Sequence, residues 1–221
     1  MPRELKATLD FLSELDDHND RQWFTAHRAE YDGARSVFEE FIDAVIDAVG
    51  EFEDLAGVTP DACMFRIYRD TRFSPDKRPY KSAMSGVIAR GGRKPIGRSY
   101  YVHIQPGDQS FVAGGLHSPT STELDAVRRA IAADAEPLRT MLAEADFVAR
   151  FGALGGESLK SAPQGYAKDH PAIDLLRRKQ FLVSTKYADK DVLADDLVER
   201  VASDCAAMQP FLTYLNDAII G

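Results

Sequence analysis

The sequence predicts an α+β protein: a mostly antiparallel sheet of about five strands packed by N- and C-terminal helices. Three patterns lead to that class. Apolar residues recur at helical spacing towards both ends of the chain, and short β-type runs separated by Pro and Gly fill the middle. Regular strand–helix–strand alternation is missing, which argues against a doubly wound parallel sheet. At 221 residues the chain is long enough to close one sizeable core, so a single domain over 1–221 is expected. Its 44% apolar and 28% charged residues match ordinary globular usage and depart from the signature of disorder.

The elements follow in order. Leu5, Leu9, Leu12 and Leu15, with Phe11, predict a first helix that ends in the turn-prone run Asp16 to Asp20. Trp23, Phe24, Tyr31, Val37, Phe38, Phe41, Ile42, Val45 and Val49 carry the same period from about Arg21 to Val49, with Gly33 as a weak point or kink and Gly50 as a stop. Strands are expected at Met64 to Tyr68, Ala83 to Ala89, Ser99 to Gln105 and Gln109 to Ala113, the last two joined by a turn at Pro106-Gly107-Asp108. Helical spacing returns from Ser121 to about Phe151, with Pro137 dividing it in two. Lys179 to Tyr187 reads as a further strand, and Val192 to Ile220 as one long or two short amphipathic helices.

Charge is distributed unevenly. The formal net charge of −8 argues against a protein that coats nucleic acid or anionic membrane over its whole surface. Yet Arg66 to Arg98 holds ten basic residues against two acidic ones, a surplus of eight, while the remainder carries 17 basic and 33 acidic residues. A positive island inside an acidic protein points to an anionic partner. No apolar run reaches the roughly 20 residues of a membrane-spanning helix, and Met1 to Lys6 leads directly into an amphipathic pattern, so a cytoplasmic protein is expected. Cys63 and Cys205 lie far apart without metal-ligand spacing and read as small buried hydrophobes. No metal site is suggested, and the cofactor is left open.

The densest constellation is the run from Arg66 to Lys81, RIYRDTRFSPDKRPYK. It resembles the signature RIYRDxRFSxDKxPYK of the uncharacterised family catalogued as domain of unknown function 2461. Other landmarks are similar: Trp23-Phe24 with Arg28 and Tyr31, Tyr101 with His103, Gly114-Gly115-Leu116, Ala162-Pro163, Gly165, Asp169-His170-Pro171 and Leu175-Leu176. His18 departs from the pattern, standing where the first of two asparagines is expected. The resemblance implies a single-domain α+β architecture and supplies no activity.

Side chains alternate along a strand, so Arg66 and Tyr68 should share one face while Ile67 and Arg69 share the other. Arg66, Arg69, Arg72, Lys77 and Lys81 are the candidate anchors for a phosphate- or carboxylate-bearing small molecule, with Asp70 able to orient an arginine through a bidentate pair. Asp70, Tyr80 and His103 are the candidate proton-transfer groups of an enzyme. His103 is expected to share a strand face with Tyr101, where a neutral imidazole could act as general acid or base near pH 7 or stand as a hydrogen-bonded core residue. In a second reading the 66–98 stripe, with Arg90, Arg93, Lys94 and Arg98, tracks the phosphates of nucleic acid. In a third the basic face meets an acidic protein. A structural reading stands beside them all, in which Asp70 and Asp76 pair with neighbouring bases to rigidify a proline-bearing loop. Ser74 to Lys77 matches SxxK formally, but its companion motifs are missing. Gly114-Gly115 permits either close approach to a ligand or a bulge.

Overall fold

The computed structural model describes residues 5–72, 74–95 and 97–221; Phe73 of the basic signature and the opening residues Met1 to Glu4 lie outside the described residues. The element order is α1 (Leu5–Asp17), α2 (Arg21–Ala26), α3 (Arg28–Val49), α4 (Pro60–Cys63), β1 (Met84–Ile88), β2 (Tyr100–Ile104), β3 (Ser110–Leu116), α5 (Ser121–Ala133), α6 (Glu136–Ala143), α7 (Ala145–Phe151), α8 (Ile173–Leu176), β4 (Phe181–Tyr187), α9 (Asp189–Val192) and α10 (Leu197–Ile220). The strands form one antiparallel sheet in the order β1-β2-β3-β4, so the chain is α+β.

The sheet has four strands among the described residues, where the sequence suggests about five. Met64 to Tyr68 makes only isolated bridges, Met64 to Gly86 and Tyr68 to Tyr80. Four residues along one segment thus face six along the other, and that slip in register breaks the ladder. The second helix breaks at His27, not at Gly33. His27 leaves helical geometry at φ −103°, ψ 24°, its Nδ1 lies 2.8 Å from the Trp23 carbonyl, and its ring stacks on the indole. Asp20 opens α2 by accepting the backbone N–H groups of Gln22 and Trp23. The Ser121 to Phe151 stretch forms three helices: Pro137 lies in the first turn of α6, as helix-start chemistry favours, and a further break falls at Glu144.

The chain divides into two compact units. The first runs to Val112 and takes in Lys186–Ala206; the second comprises Ala113–Thr185 and Ala207–Gly221. In the first, Leu5, Leu9, Leu12 and Leu15 of α1 and Phe38, Ile42, Val45 and Val49 of α3 are buried, and the Thr8 hydroxyl donates to the Ala34 carbonyl at 3.1 Å. Strand β1 packs on α3 where Gly86 leaves room for Ile42. The Glu53 carboxylate accepts the Tyr100 hydroxyl at 2.7 Å and two guanidinium hydrogens of Arg98, which satisfies a polar group at the core edge.

In the second unit, a reciprocal cap between Thr120 and Glu123 starts α5. The buried Arg128 guanidinium of that helix donates to the Leu176 and Arg178 carbonyls. Phe147, Phe151 and Phe211 form an apolar cluster. Gly115 sits at φ +126°, and a Cβ there would lie 1.9 Å from the Phe181 carbonyl oxygen of β4. The Gly114-Gly115 pair therefore admits neighbouring backbone and the Met208 and Leu212 side chains.

Two glycine substitutions should separate these roles. Gly115→Ala should cost about 2–4 kcal/mol, because both backbone strain and a steric clash oppose it. Gly33→Ala, in a helix interior with open space around the added carbon, should stabilise by about 0.5–1 kcal/mol. Urea unfolding midpoints of the two variants check both signs.

Candidate functional site

The site begins with strand alternation. In β2, Tyr100, Val102 and Ile104 are buried, whereas Tyr101 and His103 project to the opposite, partly open face. Antiparallel pairing sets Ser85 opposite His103 and Val87 opposite Tyr101. The Tyr101 hydroxyl and His103 Nδ1 are 3.2 Å apart, and His103 Nε2 is 2.8 Å from Gln105 Oε1. The Gln105 amide nitrogen donates to Gln109, so its oxygen faces the ring and can only accept. That assigns the imidazole proton to Nε2 and leaves Nδ1 to accept from Tyr101. The Phe111 ring backs the imidazole, with centroids 4.7 Å apart and planes 24° apart.

Above this face runs the basic segment. Asn19 holds it with one carboxamide, whose nitrogen donates to the Tyr80 carbonyl and whose oxygen accepts the Tyr80 N–H, each at 3.1 Å. Tyr80 is 4% exposed and stacks on Phe24 at 4.0 Å between centroids. Asp76 then gathers two arginines: Arg69 donates to it at 2.6 Å and Arg78 at 3.0 Å. The Arg78 backbone N–H and both guanidinium groups hold the Asp76 carboxyl down at about 2. Arg78 also reaches Asp16 at the end of α1, at 2.7 Å, and Ser82 donates to the same carboxylate at 2.5 Å.

Between the strand face and this segment lies a cleft of about 590 Å³. Arg69, Arg78 and Lys81 supply positive charge to its wall, Asp16 a negative one, and Phe65, Tyr101 and His103 an aromatic surface. Ser85, Gln105 and Gln109 add neutral polar groups. Lys81 donates to the Arg66 carbonyl at 3.0 Å and, among the described residues, has no carboxylate partner. Burial lowers its pKa, and the charges of Arg66 and Arg69 push the same way. Burial also holds His103 below the usual histidine range; the Lys81 charge adds to that effect while the Gln105 hydrogen bond opposes it. A neutral imidazole bonded to a phenol can exchange a proton with it, and an ammonium beside arginines can hold anionic oxygens.

The structure gathers Arg69, Lys81 and His103 at the cleft and places the other sequence candidates elsewhere. Asp70 is engaged by Arg72 in a bidentate pair at 2.9 and 2.6 Å, which lowers its pKa, and neither residue lines the cleft. Lys77 is exposed and donates to the Thr71 carbonyl. Arg66 is exposed and contributes its carbonyl to Lys81. Tyr80 belongs to the aromatic core with Phe24 and touches the exposed Tyr68 ring, and burial raises its pKa. Ser74 and Lys77 make no bond to each other; the Ser74 oxygen accepts the Asp76 N–H.

Sequence reading did not single out Asp16, Ser82, Ser85, Gln105 or Gln109 as site residues. Gln105 follows the Tyr101, His103 alternation and could have been read from it. Asp16 and Ser82 meet across 66 residues of chain, which no local pattern encodes. Among the described residues, no group of three or more His, Cys, Asp or Glu could hold a metal ion.

The buried imidazole generates a pH dependence with a definite sign. Unfolded His103 takes its proton near 6.5, and the native group does so at lower pH, so the unfolded chain binds more protons over that interval. His103 therefore withdraws stability as pH falls from above 6.5 towards the native pKa. Comparing urea midpoints at pH 7.5 and 5.5, wild type should lose more than His103→Gln; equal losses would show that the imidazole does not titrate as described.

No curated protein and no solved structure matches the chain. A family match, described as Conserved hypothetical protein (DUF2461), extends over residues 7–214. That span takes in every residue of the cleft, and the chain belongs to this family of conserved hypothetical proteins.

Proposed function

We propose that the cleft of the first unit binds a small phosphate- or carboxylate-bearing ligand in a cytoplasmic protein. One observation carries the reading: Lys81 lies in a concave wall beside Arg69, with no carboxylate partner among the described residues, while burial first and then the charges of Arg66 and Arg69 lower its pKa. A positive group held against positive neighbours in a partly buried site is stabilised by an incoming anion, and charge-assisted hydrogen bonds fix its position. The volume of about 590 Å³ falls within the range of small-molecule sites.

Nucleic-acid binding by the wider stripe receives less support. Arg90 turns to Asp54, Arg93 to the Asp61 and Met64 carbonyls, and Arg98 to Glu53, so the three arginines a phosphate track would add are engaged within the chain. An acidic protein partner faces the same objection.

Titration calorimetry with inorganic phosphate at low salt tests the proposal. Wild type should bind, and Lys81→Gln should weaken binding by about tenfold or more, the scale of a lost charge-assisted hydrogen bond. Lys77→Gln, outside the cleft, should leave affinity unchanged. Equal losses in the two variants would reduce the effect to general surface charge and defeat the assignment.

A further inference from the structure

The cleft joins two chemically different halves, and the second half narrows the ligand class. Resting on the anion-site reading above, we infer that the ligand is a planar aromatic ring carrying the phosphate or carboxylate, of nucleoside monophosphate size or smaller. The charged half is Arg69, Arg78 and Lys81. The other half is aromatic. Tyr101 and His103 project side by side from one strand, their centroids 5.9 Å apart and their planes 31° apart, and Phe111 stacks behind the imidazole. Phe65 stands beside them, 6.2 Å from the Tyr101 ring and tilted by 52°, with Lys81 Nζ 5.5 Å from its centroid.

Phe65 is 37% exposed, one of four large hydrophobic residues left open among the described residues. Exposure of a phenylalanine is common on a surface, but this one lines the same cavity as the Lys81 ammonium. An inorganic anion or a sugar phosphate would engage the cations and leave the rings unused. A flat ring linked to the anion covers the aromatic surface, where stacking is tolerant of the ring's identity. At the rim, the exposed Gln109 carboxamide, whose oxygen accepts from Gln105, offers its N–H donors to polar atoms on a ring edge.

The test compares four probes by calorimetry: inorganic phosphate, ribose 5-phosphate, phenyl phosphate and adenosine monophosphate. Wild type should bind phenyl phosphate and adenosine monophosphate, the two phosphates that carry an aromatic ring, about tenfold or more tightly than the other two, the scale of one base stacked on an aromatic side chain. Phe65→Ala should abolish that preference and Phe65→Tyr should keep it, with thermal melts confirming that both variants fold. Four equal affinities, all weakened by Lys81→Gln, would leave the anion site standing and overturn the ring assignment. A ring preference that survives Phe65→Ala would overturn it as well. Failure of all four probes to bind wild type would remove the anion-site reading itself, and this inference with it.

Discussion

Pairing Ser85 with His103 commits both strands of the β1–β2 hairpin at once. A shift of one residue would turn every side chain to the opposite face, placing Tyr101 and His103 in the core and Val102 in water. The core forbids that slip. Tyr100, Val102 and Ile104 are buried on one side of β2, and Met84 and Ile88 lie with Gly86 on the α3 side of β1. Hydrophobic burial thus selects a register in which the residues left over are a phenol, an imidazole and a buried serine, and these become one wall of the cleft. The site is the reverse side of a packing requirement.

Internal pairing then decides how much of the basic island remains open to a ligand. Long arginine and lysine chains crowded in one segment repel each other, and the fold relieves this by drawing in acids and carbonyls. Asp70 takes Arg72, Asp76 takes Arg69 and Arg78, and Glu53 takes Arg98. The structural reading of this loop, in which acids rigidify a proline-bearing segment, thus accounts for much of the island. Among the cations that line the cleft, it leaves Lys81, which donates to the Arg66 carbonyl and lies over the Phe65 ring. Composition counts charges, whereas a site depends on which of them still lack a counterion.

The legible parts of the fold were those encoded locally. Alternation over 84–88 and 100–104, the helical stripes of α1 and α3 and the Pro106-Gly107-Asp108 turn can all be read from short windows, and so can the shared face of Tyr101 and His103. The Met64 to Tyr68 run reads as a strand for the same reason, yet whether it forms a ladder depends on a partner segment whose register slips. Tyr80 illustrates a different limit. Beside so many cations a tyrosine suggests proton transfer, but its contacts with Phe24 and Asn19 come from a helical hairpin about 60 residues earlier and make it a core residue. The same distant hairpin supplies Asp16 to the cleft. Local chemistry was visible; the partners that assign it a role arrive from elsewhere in the chain.

The shared carboxylates also bear on how such a cleft would act. Arg69 and Arg78 are held in place by Asp76, and Arg78 by Asp16 as well, so their ordering is complete before any ligand arrives and they contribute a fixed field. Lys81, tethered by a single hydrogen bond to a carbonyl, is the cation best able to turn towards an anion. After burial, its charge is an influence that holds His103 below the usual histidine range. An anion placed against Lys81 offsets that influence, and the imidazole then takes up a proton more readily. By linkage, protonation of His103 must favour the anion in return. An anion at Lys81 would in this way couple the strand face and the basic segment, which unrelated packing requirements build, through one ammonium group.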